Sequence, residues 1–364
     1  MSKNFVNFHI LISHSPSCLN RDDMNMQKTA TFGGVRRVRV SSQSLKRALR
    51  TSPYYEEHLG KRSVRTRELG RLQVELVKAL HGRFSEEQVN KTLTLVSGKT
   101  GIAEKVQGDA VAPWSVAEFA RLCELVQQAE ADGLDDKKLR KLIEQEATSL
   151  KQAMAQNLDI ALSGRMATSG LVTSVDGALA MAHSITTHAA EADIDWFTAV
   201  DDLISDAGEV GAGHLDTQEF SAGVFYRYAS LNLGQLQKNL GDATREKALE
   251  VAAHVLHMLA TVVPDAKQQS FAAHNLADLM MVSLADQPIS LANAFEKPVK
   301  NKEGFLLPSI SALIGYWDKV HRGFGLEEKT AAFTLTEPAW PQDIQVKASL
   351  PELEKWVRTD GGQA

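Results

Sequence analysis

Residues 5–12 alternate in the two-residue period of a strand: Val6, Phe8, Ile10 and Ile12 fall on one side, with Asn7, His9 and Leu11 on the other, which predicts one core face. A long connection rich in Asn, Asp and Met follows (18–28). Gly33-Gly34 then marks a turn, and basic and aliphatic residues alternate over 35–40 as in a second strand. Ser41-Ser42 supplies an N-cap for a helix over 43–50 that Pro53 terminates. On that helix Lys46 and Arg50 are i,i+4 neighbours with Gln43 one turn earlier, while Leu45 and Leu49 face the core.

From about residue 64 to 154 the apolar period changes to 3.6. Helices are predicted over 67–80, over 85–96 with Ser85 as cap, from Pro113 at the first helical position to about 130, and over 135–154. The stretch reads as a helical insertion, not as more sheet. Strand character returns at 158–162, ahead of the Gly-flanked tip 163–170, and again at 178–187. Between Asp193 and Phe220 an aromatic start, Trp196-Phe197, several glycines and a return at His214-Leu215 suit a long protruding hairpin. A central aromatic strand over 223–229, an amphipathic helix over 244–262 ended by Pro264, a strand over 279–284, and helices near 308–321 and 351–358 complete the chain. Strands separated by long helices and insertions give an α+β class, and the spacing fits a four-stranded sheet with two helices, the RRM-like or ferredoxin-like plan.

With 364 residues, 43% hydrophobic and 23% charged, the chain is an ordinary globular protein able to bury a large core. Its two cysteines, Cys18 and Cys123, lie far apart, the first residues lack a signal-peptide pattern, and no apolar run approaches a membrane span. A reduced, disulfide-free, cytoplasmic protein with no membrane partner is expected.

Charge changes the picture. The whole chain carries a formal −5, yet residues 21–50 place eight positive side chains (Arg21, Lys28, Arg36, Arg37, Arg39, Lys46, Arg47, Arg50) against only Asp22 and Asp23. Such local positive charge in an acidic protein points to a polyanion seat. Ser41, Ser42 and Gln43 add uncharged donors, and the capped helix start adds backbone N–H groups, an arrangement that favours phosphate.

The catalytic case is thin. Ser97-Gly98-Lys99-Thr100 fails as a phosphate-binding loop because Leu93 stands where that motif needs glycine, so a helix C-cap is the better reading. His254 and His257 share a helix face without a third ligand, His183 and His188 are equally unsupported, and no nucleophile motif occurs. No metal or cofactor is called for. Asp22-Asp23 is the one carboxylate pair placed to position a metal or a ribose hydroxyl; the competing reading is that both cap a turn or pair with nearby arginines.

With these residues in view, the chain resembles the CasC family of backbone subunits of the type I-E CRISPR surveillance complex, Cascade, in the RAMP superfamily. The resemblance rests on FHILISHSPSCLNRDDMNMQK, RRVRVSSQSLKRALR, DIALSGRMATSG, DIDWFTAVDDL, TQEFSAGVFYRYA, HMLATVVPDAKQQSFAAHN and SLANAFEKPV, which together reach across almost the whole chain. It implies a hand: an RRM-like palm (1–60, 158–192 and 222–364), helical fingers (61–157) and a thumb hairpin (193–221). It further implies a non-catalytic subunit that stacks head-to-tail with its own copies along one CRISPR RNA, beside other Cascade subunits, and meets target DNA through the guide heteroduplex. Arg21, Lys28, Ser41, Gln43, Lys46 and Arg50 resemble the family's RNA-backbone contacts on the palm, with Arg165 and Met166 on an adjoining loop. Trp196, Phe197, Thr198, Val200 and Leu215 resemble the thumb residues that displace a base. For Trp196 and Phe197 the competing reading from the residues alone is core packing. The alternative function is a metal-dependent endoribonuclease cutting target RNA with Asp22 or Asp23, as related type III backbone subunits do.

Overall fold

The structure is a computed structural model and describes residues 3–99, 101–102, 106–154, 157–166, 174–200, 212–300 and 303–362. In chain order, β1 (Phe5–Ser17), β2 (Thr29–Phe32), β3 (Val35–Val40) and α1 (Ser42–Thr51) come first. They are followed by α2 (Pro53–Leu59), β4 (Val64–Glu68), α3 (Leu69–Ala79), α4 (Glu86–Ser97), β5 (Gln107–Trp114), α5 (Val116–Ala131), α6 (Asp136–Gln145), α7 (Ala147–Met154) and α8 (Leu158–Ser163). Then come β6 (Leu179–Met181), β7 (Ser184–Thr186), β8 (Asp193–Val200), β9 (Ala212–Asn232), α9 (Leu233–Asn239), α10 (Arg245–Thr261) and α11 (Gln268–Phe271). The chain closes with β10 (Leu279–Ala285), α12 (Leu306–Phe324), β11 (Lys329–Thr334), β12 (Ile344–Val346) and α13 (Leu350–Arg358). The elements fall into two compact units, one of residues 1–52, 181–230 and 252–364, the other of 53–180 and 231–251.

The first unit is built on a mixed sheet ordered β12-β11-β10-β1-β9-β7-β3-β2, with β8 pairing the first half of β9. Its strands exceed the four of the expected plan, because further strands extend the sheet beyond β10 and beyond β7. β1 and β10 pair antiparallel from Phe5↔Ala285 to Leu11↔Leu279, and β11 and β12 are parallel. The expectation of one core face on β1 is corrected: every residue from Val6 to Ile12 is buried. Asn7 and His9 tolerate this because the Tyr228 hydroxyl donates to Asn7 Oδ1 at 3.1 Å and the Tyr226 hydroxyl lies 2.8 Å from His9 Nδ1. Leu11, Val224, Tyr226, Met281, Ile310, Leu313 and Trp317 belong to the core between this sheet and α12. α12 spans 19 residues, longer than predicted, since Pro308 sits in its first turn rather than at its start.

The second unit is helical but carries a two-stranded sheet, β4 with β5, that the 3.6-residue reading missed. Pro113 lies within β5 opposite Arg65, and the helix after it starts at the N-cap Ser115, whose side chain accepts the Glu118 N–H. The expected helix over 135–154 is two helices; Glu146 ends α6, and its carboxylate takes Arg121 and Ser149. Residues 158–162, expected as a strand, form α8. All five side chains there are buried, so no alternation exists to separate strand from helix. The boundaries near 52 and 180 make this unit wider than a 61–157 insertion. Pro53 opens α2 after α1 has ended at its cap Ser52. No helix among the described residues is long and apolar enough to cross a membrane.

Candidate nucleic-acid interface

The loop after β1 is a folded device. Asp22 Oδ1 accepts the N–H groups of Met24 and Met26, both at 2.9 Å, and Asn25 completes the turn at φ 66°, a left-handed conformation that asparagine tolerates. The Arg21 guanidinium donates to Asn25 Oδ1, and Met24 is thereby displayed with 81% of its surface exposed. The loop is pinned from behind: Gln27 N–H donates to Glu219 Oε2 at 2.9 Å and its side-chain amide to Ser221 at 2.6 Å. Asn20 then joins loop to helix, its carbonyl accepting Lys28 N–H and its Oδ1 accepting Ser41 N–H, each at 2.9 Å.

On β3 one of the eight cations is removed from the surface. Arg37 is fully buried and donates to the carbonyls of Thr186 (3.0 Å) and Phe295 (2.8 Å), so it braces the sheet and does not meet a ligand. Burial holds its pKa below the ordinary guanidinium value despite the nearby Glu296 carboxylate. The preceding Gly33 turn, at φ 60°, is required: a Cβ there would stand 1.6 Å from the Glu296 carbonyl.

α1 forms as predicted. Ser41 is its N-cap, with Oγ accepting Ser44 N–H at 3.2 Å; Leu45, Ala48 and Leu49 are buried, Gln43 is exposed, and Lys46 and Arg50 are half-buried. The expectation that the helix start offers its N–H groups to a ligand is corrected in one respect, because the Ser42 N–H donates to His183 Nδ1 at 2.9 Å. His183 was read only as an unsupported metal ligand, and a contact across 141 residues leaves no local signal. Partial burial, and then the charges of Arg39 and Lys28, hold its pKa below the ordinary histidine value. Arg21, Lys28, Ser41, Gln43, Lys46 and Arg50 are therefore all carried by one structural unit, knitted by Asn20. The grouping combines cations with uncharged donors, which suits phosphate oxygens.

The remaining predicted residues divide. Arg165 is buried, and its guanidinium makes a bidentate ion pair with Glu118 at 2.6 and 2.7 Å, so this side chain is committed inside the second unit and is not presented to a ligand. Met166 beside it is 87% exposed. The tip residues 167–170 lie outside the described residues, as do 201–211 of the arm. β8 and β9 pair antiparallel from Asp193↔Phe220 through Thr198↔Leu215 to Val200↔Ala212. Trp196 is 66% exposed on this ribbon, which removes the core-packing reading for it. The side chains of Phe197, Thr198, Val200 and Leu215 lie outside the described residues; their backbones stand in the ladder.

Elsewhere the bland readings hold. Gly98 is the left-handed C-cap of α4, and His257 Nδ1 meets Glu354 Oε1 at 2.8 Å. Among the described residues no group of three or more His, Cys, Asp or Glu is placed to hold a metal.

No curated protein matches the chain. More than a hundred solved chains do; of two among them, one is described as a CRISPR RNA-guided surveillance complex, pre-nicking, with TM-score 0.83 and 30% identity over 98% of this chain and 100% of that one. The other, described as a CRISPR RNA-guided surveillance complex, has TM-score 0.64 and 25% identity with the same coverage. The family described as CT1975-like protein matches residues 6–357. The resemblance of the motifs to a Cascade backbone-type subunit is thus borne out, and the chain belongs to the CT1975-like family.

Proposed function

We propose that this protein is a non-catalytic guide-RNA scaffold of an RNA-guided complex that surveys DNA. It binds the phosphodiester backbone of a CRISPR RNA, stacks head-to-tail with its own copies and with other Cascade subunits, and presents the guide to target DNA. The observation that carries this reading is the likeness, along 98% of the chain, to a chain described as a CRISPR RNA-guided surveillance complex, joined to a cationic, donor-rich seat. A guide differs in sequence from one complex to the next, so backbone recognition without readout is what the task requires.

The sheet order β10-β1-β9-β7, with α1 and α10 on the connections, supports the RRM-like palm at the centre of the larger sheet. The second unit serves as fingers, and the β8–β9 ribbon with its exposed Trp196 serves as the thumb that displaces a base. Met166 supplies an adaptable apolar contact indifferent to base identity.

The test is to purify the protein with the products of its neighbouring genes and sequence the RNA that accompanies it. Repeat-spacer units of uniform length are expected; mixed cellular RNA would replace the scaffold with a general RNA-binding role. Supplying complementary RNA and a divalent metal tests the nuclease alternative. Regularly spaced fragments that disappear in Asp22→Ala or Asp23→Ala would establish cleavage. The use of Asp22 Oδ1 by two backbone N–H groups favours a turn-forming role for that residue instead.

A further inference from the structure

His183 stands just before β7, exposed, and belongs to none of the RNA-contacting motifs. Its Nδ1 accepts the Ser42 N–H at 2.9 Å, and a ring nitrogen that accepts carries no proton. In the neutral ring the proton is therefore on Nε2. Adding a second proton would set Nδ1–H against the Ser42 N–H, and the neighbouring charges of Lys28 and Arg39 oppose it further.

The strand register fixes the company this donor keeps. Arg39 pairs with Ile185 and Val40 with Ser184, so His183 lies alongside the junction where β3 passes into α1. Lys28 joins the same corner through its carbonyl, which accepts Arg39 N–H at 2.9 Å. One oriented, uncharged Nε2–H donor thus stands among cations beside the start of α1.

We propose that His183 is an RNA-backbone ligand that donates Nε2–H to a non-bridging phosphate oxygen, with the Ser42 N–H acting as the positioning bond that selects the tautomer. The ligand class is a phosphodiester; the imidazole reads no base. The inference rests on the guide-RNA reading above and adds a contact to it.

The test measures binding of the full chain to fluorescein-labelled oligouridine and to a mixed-sequence RNA of equal length by anisotropy. In His183→Asn the side-chain oxygen replaces Nδ1 and keeps the Ser42 bond, while nothing reaches the position of Nε2. Its thermal midpoint stays at the parent value and its affinity for both RNAs falls about ten-fold, the weight of one hydrogen bond to a charged group. In His183→Gln the amide reaches the position of Nε2, and most of the affinity returns. Unchanged affinity in His183→Asn, or a loss confined to one RNA, overturns the proposal. The long-range ¹⁵N spectrum of the histidine rings gives an answer without substitution: a proton found on His183 Nδ1 also overturns it. If Lys46→Ala and Arg50→Ala weaken binding while the His183 variants do not, only this inference falls; if none of them weakens it, the guide-RNA reading falls as well.

Discussion

Individual side chains of one type have been given opposite tasks. Lys46 and Arg50 sit half-buried on α1, whereas Arg37 and Arg165 are sunk in the interior with carbonyl or carboxylate partners. Lys46→Ala or Arg50→Ala is expected to weaken RNA binding equally for all sequences and to lower the salt slope of log Kd by about one unit each. Anisotropy titrations at several salt concentrations measure both quantities, and a base-dependent loss would contradict backbone recognition. Arg165→Ala is expected to act on folding, since it strands the buried Glu118 carboxylate and removes about 3–5 kcal/mol of stability. Urea unfolding checks this: an unchanged midpoint with lost RNA affinity would return Arg165 to the interface. The sequence could not separate these arginines. Burial of Arg165 depends on Glu118, 47 residues away, and burial of Arg37 depends on carbonyls near residues 186 and 295.

At the level of elements, legibility follows how local the causes are. α1 could be read to within a residue because the cap at Ser41, the stripe of Leu45 and Leu49 and the stop at Ser52 all lie inside its own segment. The β8–β9 ribbon was visible as an aromatic strand, a glycine-rich stretch and a return. β4, β5 and α8 were not. β4 and β5 pair across 39 to 50 residues, which leaves no local sign of the partner, and the side chains of 158–162 in α8 are all buried, Asp159 included, so no alternation names its state. The same distinction governs the ribbon's energetics. Trp196 is mostly exposed on it, so Trp196→Ala is expected to leave the thermal midpoint within the small range of surface substitutions, about 0.5 kcal/mol. In the assembled complex the same variant alters the regular protection pattern of bound RNA in hydroxyl-radical footprinting. A midpoint lowered by many degrees would show that the indole packs in the folded chain after all.

For the molecule as a whole, the buried histidines set an acid limit. His9 is enclosed near the rings of Tyr226 and Tyr228, and its pKa is pushed down to about 3, chiefly by burial and then by His321. His14 is likewise pushed down to about 3 by burial and by Arg227, whose guanidinium donates to His14 Nε2 at 3.2 Å. In the unfolded chain both titrate near the ordinary value of about 6.5. Below that pH the unfolded state binds protons that the folded state refuses, so their contribution is complete above about pH 6.5 and is lost progressively toward pH 3. Each can cost up to about 1.4 kcal/mol per pH unit in that window. Asp278 opposes them, because burial raises its pKa and a raised carboxyl favours the folded state as pH falls. Two histidines outweigh one modestly shifted aspartate, and a net stability of roughly 5–15 kcal/mol would be exhausted within a few pH units. Urea unfolding between pH 7.5 and 4.5 is therefore expected to show stability falling steadily with acid, starting near pH 6.5 where carboxylates have not begun to titrate. In His9→Gln, which keeps an acceptor for the Tyr226 hydroxyl, the slope becomes shallower by as much as one histidine's share. Stability that stayed flat down to pH 5 would mean that the interior admits the imidazolium.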